Sequence, residues 1–230
     1  MDRYEKDKIP LEAMWLDIDY MDNYQNFKVN KTAFKNIPNM ALAMHKRDQK
    51  LITIVDAGFH ADDKYEYYKK FNEGGCFIKS AKFPLEFNGN LIGKVWPGKA
   101  AFPDFLNPKT QSIWFDGLAS LHSSTSYDGI WIDMNEATTF CQGECPLSET
   151  VNPQESTSSR NLSEEDDDEE WSVTGDVDIE HYSLYLDAKH YGETEEEEAL
   201  HTEYNLHSLY GTYQARETFN FWRQGKKFNT

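Results

Sequence analysis

Three apolar runs punctuate the first part of the chain, and each ends in an aspartate: Ala13–Asp17, Leu51–Asp56 and Gly129–Asp133. A parallel strand covered on both faces reads as such a run. In a barrel its C-terminal end opens on the active face, where a polar side chain is at home. Between the runs the period changes. Tyr65, Tyr68 and Phe71 recur at helical spacing within 61–73, and Gly74-Gly75 supplies a stop. Asn107-Pro108 predicts a second helix start, with Asn107 as the N-cap acceptor and proline where no amide hydrogen is needed. Ile113, Trp114, Leu118 and Leu121 form its expected buried face. A further helix is expected over 203–223, with Leu206, Leu209, Tyr210, Tyr213 and Phe219 on an apolar stripe, and residues 2–9 read as the end of a charged helix. Strand, helix, strand in this order predicts right-handed parallel crossovers and an α/β fold.

The segments between these elements differ in kind. Residues 77–105 are rich in Gly, Pro and aromatics and are long for a plain connection, which predicts a structured loop on the active face. Residues 146–180 are Ser, Thr, Asn, Gln and Pro leading into the acidic run Glu164–Glu170. Such a segment has too little apolar surface to offset its ordering entropy and is expected to be partly disordered. The predicted organisation is therefore 1–145 as barrel, 146–200 as an acidic low-complexity insertion and 201–230 as a barrel helix. A complete (β/α)8 barrel needs ~250 residues and eight strands. Three are legible here, so the chain reads as part of a barrel.

The net charge of −17 is concentrated rather than spread. Between Asn161 and Leu200 stand 16 acidic residues and one basic residue, Lys189, a local charge of −15 that leaves −2 for the remainder. That acidity argues against nucleic acid as a partner. No apolar run reaches the length of a membrane span. The histidines show no metal-ligand spacing, the acidic runs lack the pattern of a calcium loop, and no phosphate-binding glycine motif is present. Neither a metal nor a cofactor is expected. Asn30-Lys31-Thr32 and Asn161-Leu162-Ser163 fit the N-glycosylation pattern, and Cys141 and Cys145 are either a small-loop disulfide or two free thiols.

Asp17, Asp56 and Asp133 at three strand ends suggest a carboxylate-lined pocket, although each is also of the right type to cap a following helix. Trp131 and Trp96, the latter in a Val-Trp-Pro-Gly loop, are suited to an aromatic wall against the C–H face of a sugar. Asp19 has the opposite strand parity to Asp17 and is read as structural.

The block Trp131-Ile132-Asp133-Met134-Asn135-Glu136 resembles the signature of glycoside hydrolase family 31, the α-glucosidases and their relatives. The similarity continues in register through Ile9–Glu12, Trp15–Asp22, Ile54–Asp56, Phe77–Lys79, Val95–Lys99, Phe102–Phe105 and Asn107-Pro108, within which the maltase, sucrase-isomaltase and acid α-glucosidase branch is the nearest match. The resemblance implies a partial (β/α)8 TIM barrel, about strands 2–4, acting on an oligosaccharide or α-glucoside. It implies Asp133 as nucleophile, Asp17 and Asp56 as acceptors for sugar hydroxyls, and Ile18, Ile54, Trp96, Trp131 and Met134 as lining. Glu136 is not the implied acid/base; that role falls to an aspartate expected beyond Thr230, so this chain alone is expected to be inactive. Secreted, lysosomal or vacuolar residence follows from the same resemblance. The alternatives are a non-catalytic sugar-binding or orphan barrel fragment, and an α-xylosidase or processing glucosidase.

Overall fold

A computed structural model describes residues 1–145 and 182–224. Its centre is a parallel sheet of three strands in the order β1–β2–β6, with β1 at Ala13–Leu16, β2 at Lys50–Asp56 and β6 at Gly129–Asp133. The apolar runs thus become adjacent strands, and the register sets Ile54 beside Trp131 and Asp56 beside Asp133. Alternation sends Leu51, Thr53 and Val55 of β2 to one face, where they are fully buried. Ile52, Ile54 and Asp56 face the other way.

Helices cover the first face. The short α1 (Asp2–Lys6) precedes the sheet, and α2 (Ile37–His45) lies between β1 and β2. α2 is not among the helices the apolar spacing predicts; Pro38 stands in its first turn, and Ile37, Ala41 and Met44 are its buried face. α3 spans Glu66–Gly74, shorter than the predicted 61–73 at its start, with Gly75 closing it in the left-handed conformation. α4 spans Thr110–Thr125 and packs against α2, α3 and α6 (Glu203–Gln224). Gly117 of α4 lies against the Phe27 ring, which a Cβ would meet at 2.3 Å. Trp114, fully buried, makes an edge contact with Phe27 and donates from Nε1 to Thr218 Oγ1 at 3.1 Å.

Two helix predictions need correcting. Asn107 makes the expected side-chain bond, its Oδ1 accepting from Lys109 N at 3.0 Å, but in the turn that leads into α4: the regular helix starts at Thr110, and Lys109 at its N-cap position makes no side-chain capping bond. α6 buries Leu206, Tyr210, Gln214, Glu217, Thr218 and Phe221, while Leu209 and Phe219 are exposed. The buried stripe keeps Leu206 and Tyr210 of the expected face and adds Gln214 and Glu217; Glu217 accepts from Gln111 Nε2, while the Gln214 amide has no hydrogen-bond partner among the described residues.

Residues 77–105 supply two strands of a second, antiparallel sheet in the order β3–β5–β4: β4 is Ile92–Val95, β5 is Gly98–Ala101, and β3, Phe59–His60, joins them from just after β2. The tight turn between β4 and β5 is Trp96-Pro97. Phe140 N donates to Lys94 O and Cys145 N to Ile92 O, tying this hairpin to the segment after β6. That segment is closed by a Cys141–Cys145 disulfide, and Cys76 is a buried free thiol.

Residues 182–200, within the stretch assigned to the acidic insertion, make backbone bridges to Lys79 and Thr138 and bury Leu184, Ala188 and His190. The acidic patch at 195–198 begins α5 (Glu195–Leu200), capped by Thr194; four glutamates in a first turn suit the positive end of a helix. The Glu164–Glu170 run and Asn161 lie outside the described residues.

Candidate active site

The site is built where the parallel sheet ends. Ile54 and Trp131 make an apolar rung of the ladder, and Asp56 and Asp133 make the next and last rung, their side chains on the same face. β1 stops three residues sooner, at Leu16 beside Thr53. Asp17 ends the extended segment by accepting from Ile18 N at 2.7 Å, starting one turn of 3-10 helix over Ile18–Tyr20. This turn breaks the strand parity on which Asp19 is read as structural, and Asp19 faces the same cavity as Asp17. After Asp133 the chain bends sharply at Met134, which holds φ +53. A left-handed backbone on a side chain of this size costs on the order of 1 kcal/mol.

Asp17, Ile18, Ile54, Asp56, Trp96, Trp131, Asp133 and Met134, together with Asp19, surround one cavity of about 440 Å³. Every residue singled out from the sequence is therefore on its wall. Trp131 packs at 5.1 Å from Trp15, which is 62 % exposed on the same face. Trp96 reaches over from the hairpin turn, 45 % exposed and held edge-on at 5.2 Å by Phe140, a residue far from it in the chain that no local pattern points to. Glu136 is not on this wall; its carboxylate accepts from Thr138 Oγ1 at 2.6 Å.

The acidic rung is electrostatically costly. Asp56 is 5 % exposed, and among the described residues its Oδ1 has no hydrogen-bond partner. Burial first, then the charges of Asp133 and Asp17, push its carboxyl up to about 7. No cation faces it within these walls: the lining is four aspartates and five apolar side chains. Such a pocket accepts hydrogen bonds, favours a polyol or a positive charge, and offers apolar surfaces to C–H groups.

A second acidic cluster lies away from the cavity and has a different character. His190, fully buried, contacts Asp104 Oδ1 at 3.4 Å and Glu203 Oε2 at 2.8 Å, and Glu203 Oε1 meets His207 Nδ1 at 3.0 Å. Burial alone would lower His190, but the two carboxylates raise it to about 9. Burial alone would raise Glu203, and hydrogen bonds from the two histidines bring it below the ordinary value. Among the described residues no group of histidine, cysteine and acidic side chains is arranged to hold a metal, and no helix is long and apolar enough to cross a membrane.

Comparison with known proteins places this geometry. Residues 1–229 match the TIM-barrel domain of the glycosyl hydrolases family 31. The chain is 34 % identical over 212 residues to lysosomal alpha-glucosidase of Rattus norvegicus, covering 90 % of this chain and 19 % of that protein. It is 38 % identical over 151 residues to alpha-xylosidase 1 of Arabidopsis thaliana, covering 65 % of this chain and 16 % of that one. The crystal structure of a glucosidase II alpha subunit superposes with a TM-score of 0.68 over 96 % of this chain and 19 % of its own, at 21 % identity, a likeness of fold. The chain thus spans about a fifth of the length of the rat relative. Its three parallel strands with their covering helices are a part of the barrel, and the chain belongs to glycosyl hydrolase family 31.

Proposed function

We propose that these residues form the nucleophile side of a retaining α-glucosidase. The observation that carries the reading is the terminal rung of the sheet: Asp133 and a neighbouring carboxylate, both facing a cavity walled by two indoles. Asp133 attacks the anomeric carbon of a terminal α-linked glucose, the bond to the leaving oxygen breaks, and a β-glucosyl ester forms on Asp133. Asp17 and Asp56 accept hydrogen bonds from sugar hydroxyls. Trp96 and Trp131 pack on the C–H face and keep water from the reacting bond, with Ile18, Ile54 and Met134 completing the wall.

Protonating the leaving oxygen requires a second carboxylic acid ~5–5.5 Å away across the sugar. Asp56 stands beside Asp133 on the neighbouring strand, on the same side of the sugar, so the acid/base belongs to residues outside those described here. No cofactor takes part in this reaction. The Cys141–Cys145 disulfide and the lysosomal relative both support residence in the secretory pathway.

Two substrates test the scheme together. A dinitrophenyl α-glucoside leaves without a proton, and residues 1–230 should release about one equivalent of phenolate in a burst that Asp133→Asn abolishes. Maltose needs the acid and should not be turned over by this chain alone. No burst, with sugar still bound, would leave only a sugar-binding role. The α-xylosidase relative supplies a second reading, decided by running the corresponding α-xyloside beside the glucoside.

A further inference from the structure

β1 shares its last rung with β2 at Leu16 and Thr53, then turns away. On that side the backbone of β2 runs on past Thr53 with no strand beside it, although Ile54 to Gly58 is buried. Buried backbone groups need partners. Two side chains supply them. Tyr20 Oη donates to Ile54 O at 2.7 Å. One step further the Asn26 amide takes the place of a missing strand: its Oδ1 accepts from Asp56 N at 2.9 Å, and its Nδ2 donates to Asp56 O at 2.9 Å and to Gly58 O at 3.2 Å. Asn26 is itself 1 % exposed, and its carbonyl accepts from Tyr65 Oη at 2.7 Å.

We propose that Asn26 is the positioning residue of the candidate site, holding the Asp56 carboxylate in the rung beside Asp133 by clamping both polar groups of the Asp56 backbone. Asp56 Oδ1 has no partner among the described residues, so nothing anchors that oxygen at the far end of the side chain. Asp133 and Asp17 repel it. A carboxylate pushed by its neighbours stays in place when the backbone that bears it cannot move, and the short amide side chain of asparagine offers that backbone one acceptor atom and two N–H donors. An aspartate keeps the acceptor and loses both donors; an alanine loses all three.

The value of this position for sugar binding rests on the reading of Asp56 as a sugar contact, but the clamp itself does not. Two measurements on the full chain separate them. Carboxyl-carbon NMR follows the titration of Asp56 without any ligand, and calorimetry follows the affinity for deoxynojirimycin, a glucose-shaped amine. In Asn26→Ala the Asp56 midpoint should fall from about 7 towards the ordinary carboxylate range as the side chain reaches water. Affinity for the iminosugar should drop about tenfold or more, as expected when a binding group is displaced. Asn26→Asp should show the same loss of affinity, and it carries the test if the alanine variant does not fold. A purely structural asparagine would lower the melting temperature and leave midpoint and affinity unchanged in both variants, which would overturn the proposal. If Asp56→Asn binds the iminosugar as the parent does, the sugar-contact reading fails, and the shifted midpoint still decides the clamp.

Discussion

The two acidic clusters of this molecule are built in opposite ways. Around His190 each carboxylate has a cationic or hydrogen-bonding partner: Asp104 and Glu203 share the imidazole, and Asp104 also accepts the backbone amides of Leu106 and Tyr191. At the end of the parallel sheet Asp17, Asp19, Asp56 and Asp133 face one cavity without a cation among its walls. The first arrangement ties α6 and the 182–192 segment to the rest of the fold. The second costs stability, and the fold tolerates it where the chain meets open space. Unpaired like charges at the mouth of a strand mark a place prepared for something that is not protein.

The sharpest way to break this contrast is at the first cluster. His190→Ala leaves two buried carboxylates without their shared partner and should destabilise the fold by about 3–5 kcal/mol, seen as a fall in the denaturant midpoint. The pH dependence has a sign. His190 is raised, so its contribution is complete below the unfolded value near ~6.5 and is lost as pH climbs through about 9. Glu203 is lowered, so its contribution is present above the ordinary carboxylate range and is lost as pH falls through its folded value. The parent should lose stability on both sides of this window, and His190→Ala should flatten the alkaline side.

At the second cluster the prediction reverses. Asp56 is raised to about 7, so the folded state holds a proton that the unfolded chain has released, and ionising it weakens the fold as pH rises from ~4 to that value. Asp56→Asn should therefore stabilise the protein at pH ~8 by up to roughly 4 kcal/mol and by nothing at pH ~4. A destabilising effect at both values would mean that the rung is held by contacts this account lacks. Trp96→Ala separates stability from binding. The indole stands on an exposed hairpin turn, so the melt should change by less than ~0.5 kcal/mol, while affinity for deoxynojirimycin falls about tenfold. Glu136→Gln is the smallest change. Its amide still accepts from Thr138 Oγ1, and neither stability nor sugar binding should move measurably.

Much of this was legible because strands and barrels obey a strong rule. Asp17, Asp56 and Asp133 stand at the ends of apolar runs, and parallel pairing brings such ends together whatever the intervening loops do. Trp96 could be placed because a Val-Trp-Pro-Gly turn exposes its indole. What escaped depended on contacts distant in sequence. Asn26 lies in a polar stretch with no periodicity, and only the early departure of β1 creates the backbone groups it satisfies. His190 lies within the stretch read as an acidic insertion and Glu203 at the start of α6, and nothing in either segment alone points to the other. Strand parity does not hold past Leu16, where a 3-10 turn brings Asp19 to the same cavity as Asp17. On α6 the apolar pattern locates Leu206 and Tyr210 but not Gln214 and Glu217, polar residues that share the buried face.

In the proposed reaction Asp133 is aimed at the anomeric carbon. A 5-fluoro-α-glucosyl fluoride tests it directly, since fluoride departs without help from an acid and the ring fluorine slows hydrolysis of the ester. The account predicts one sugar bound per chain, mapped by peptide mass spectrometry to Asp133 and absent from Asp133→Asn. Label on Asp17, Asp56 or Glu136, label that survives in Asp133→Asn, or no label in a protein that still binds deoxynojirimycin would contradict it.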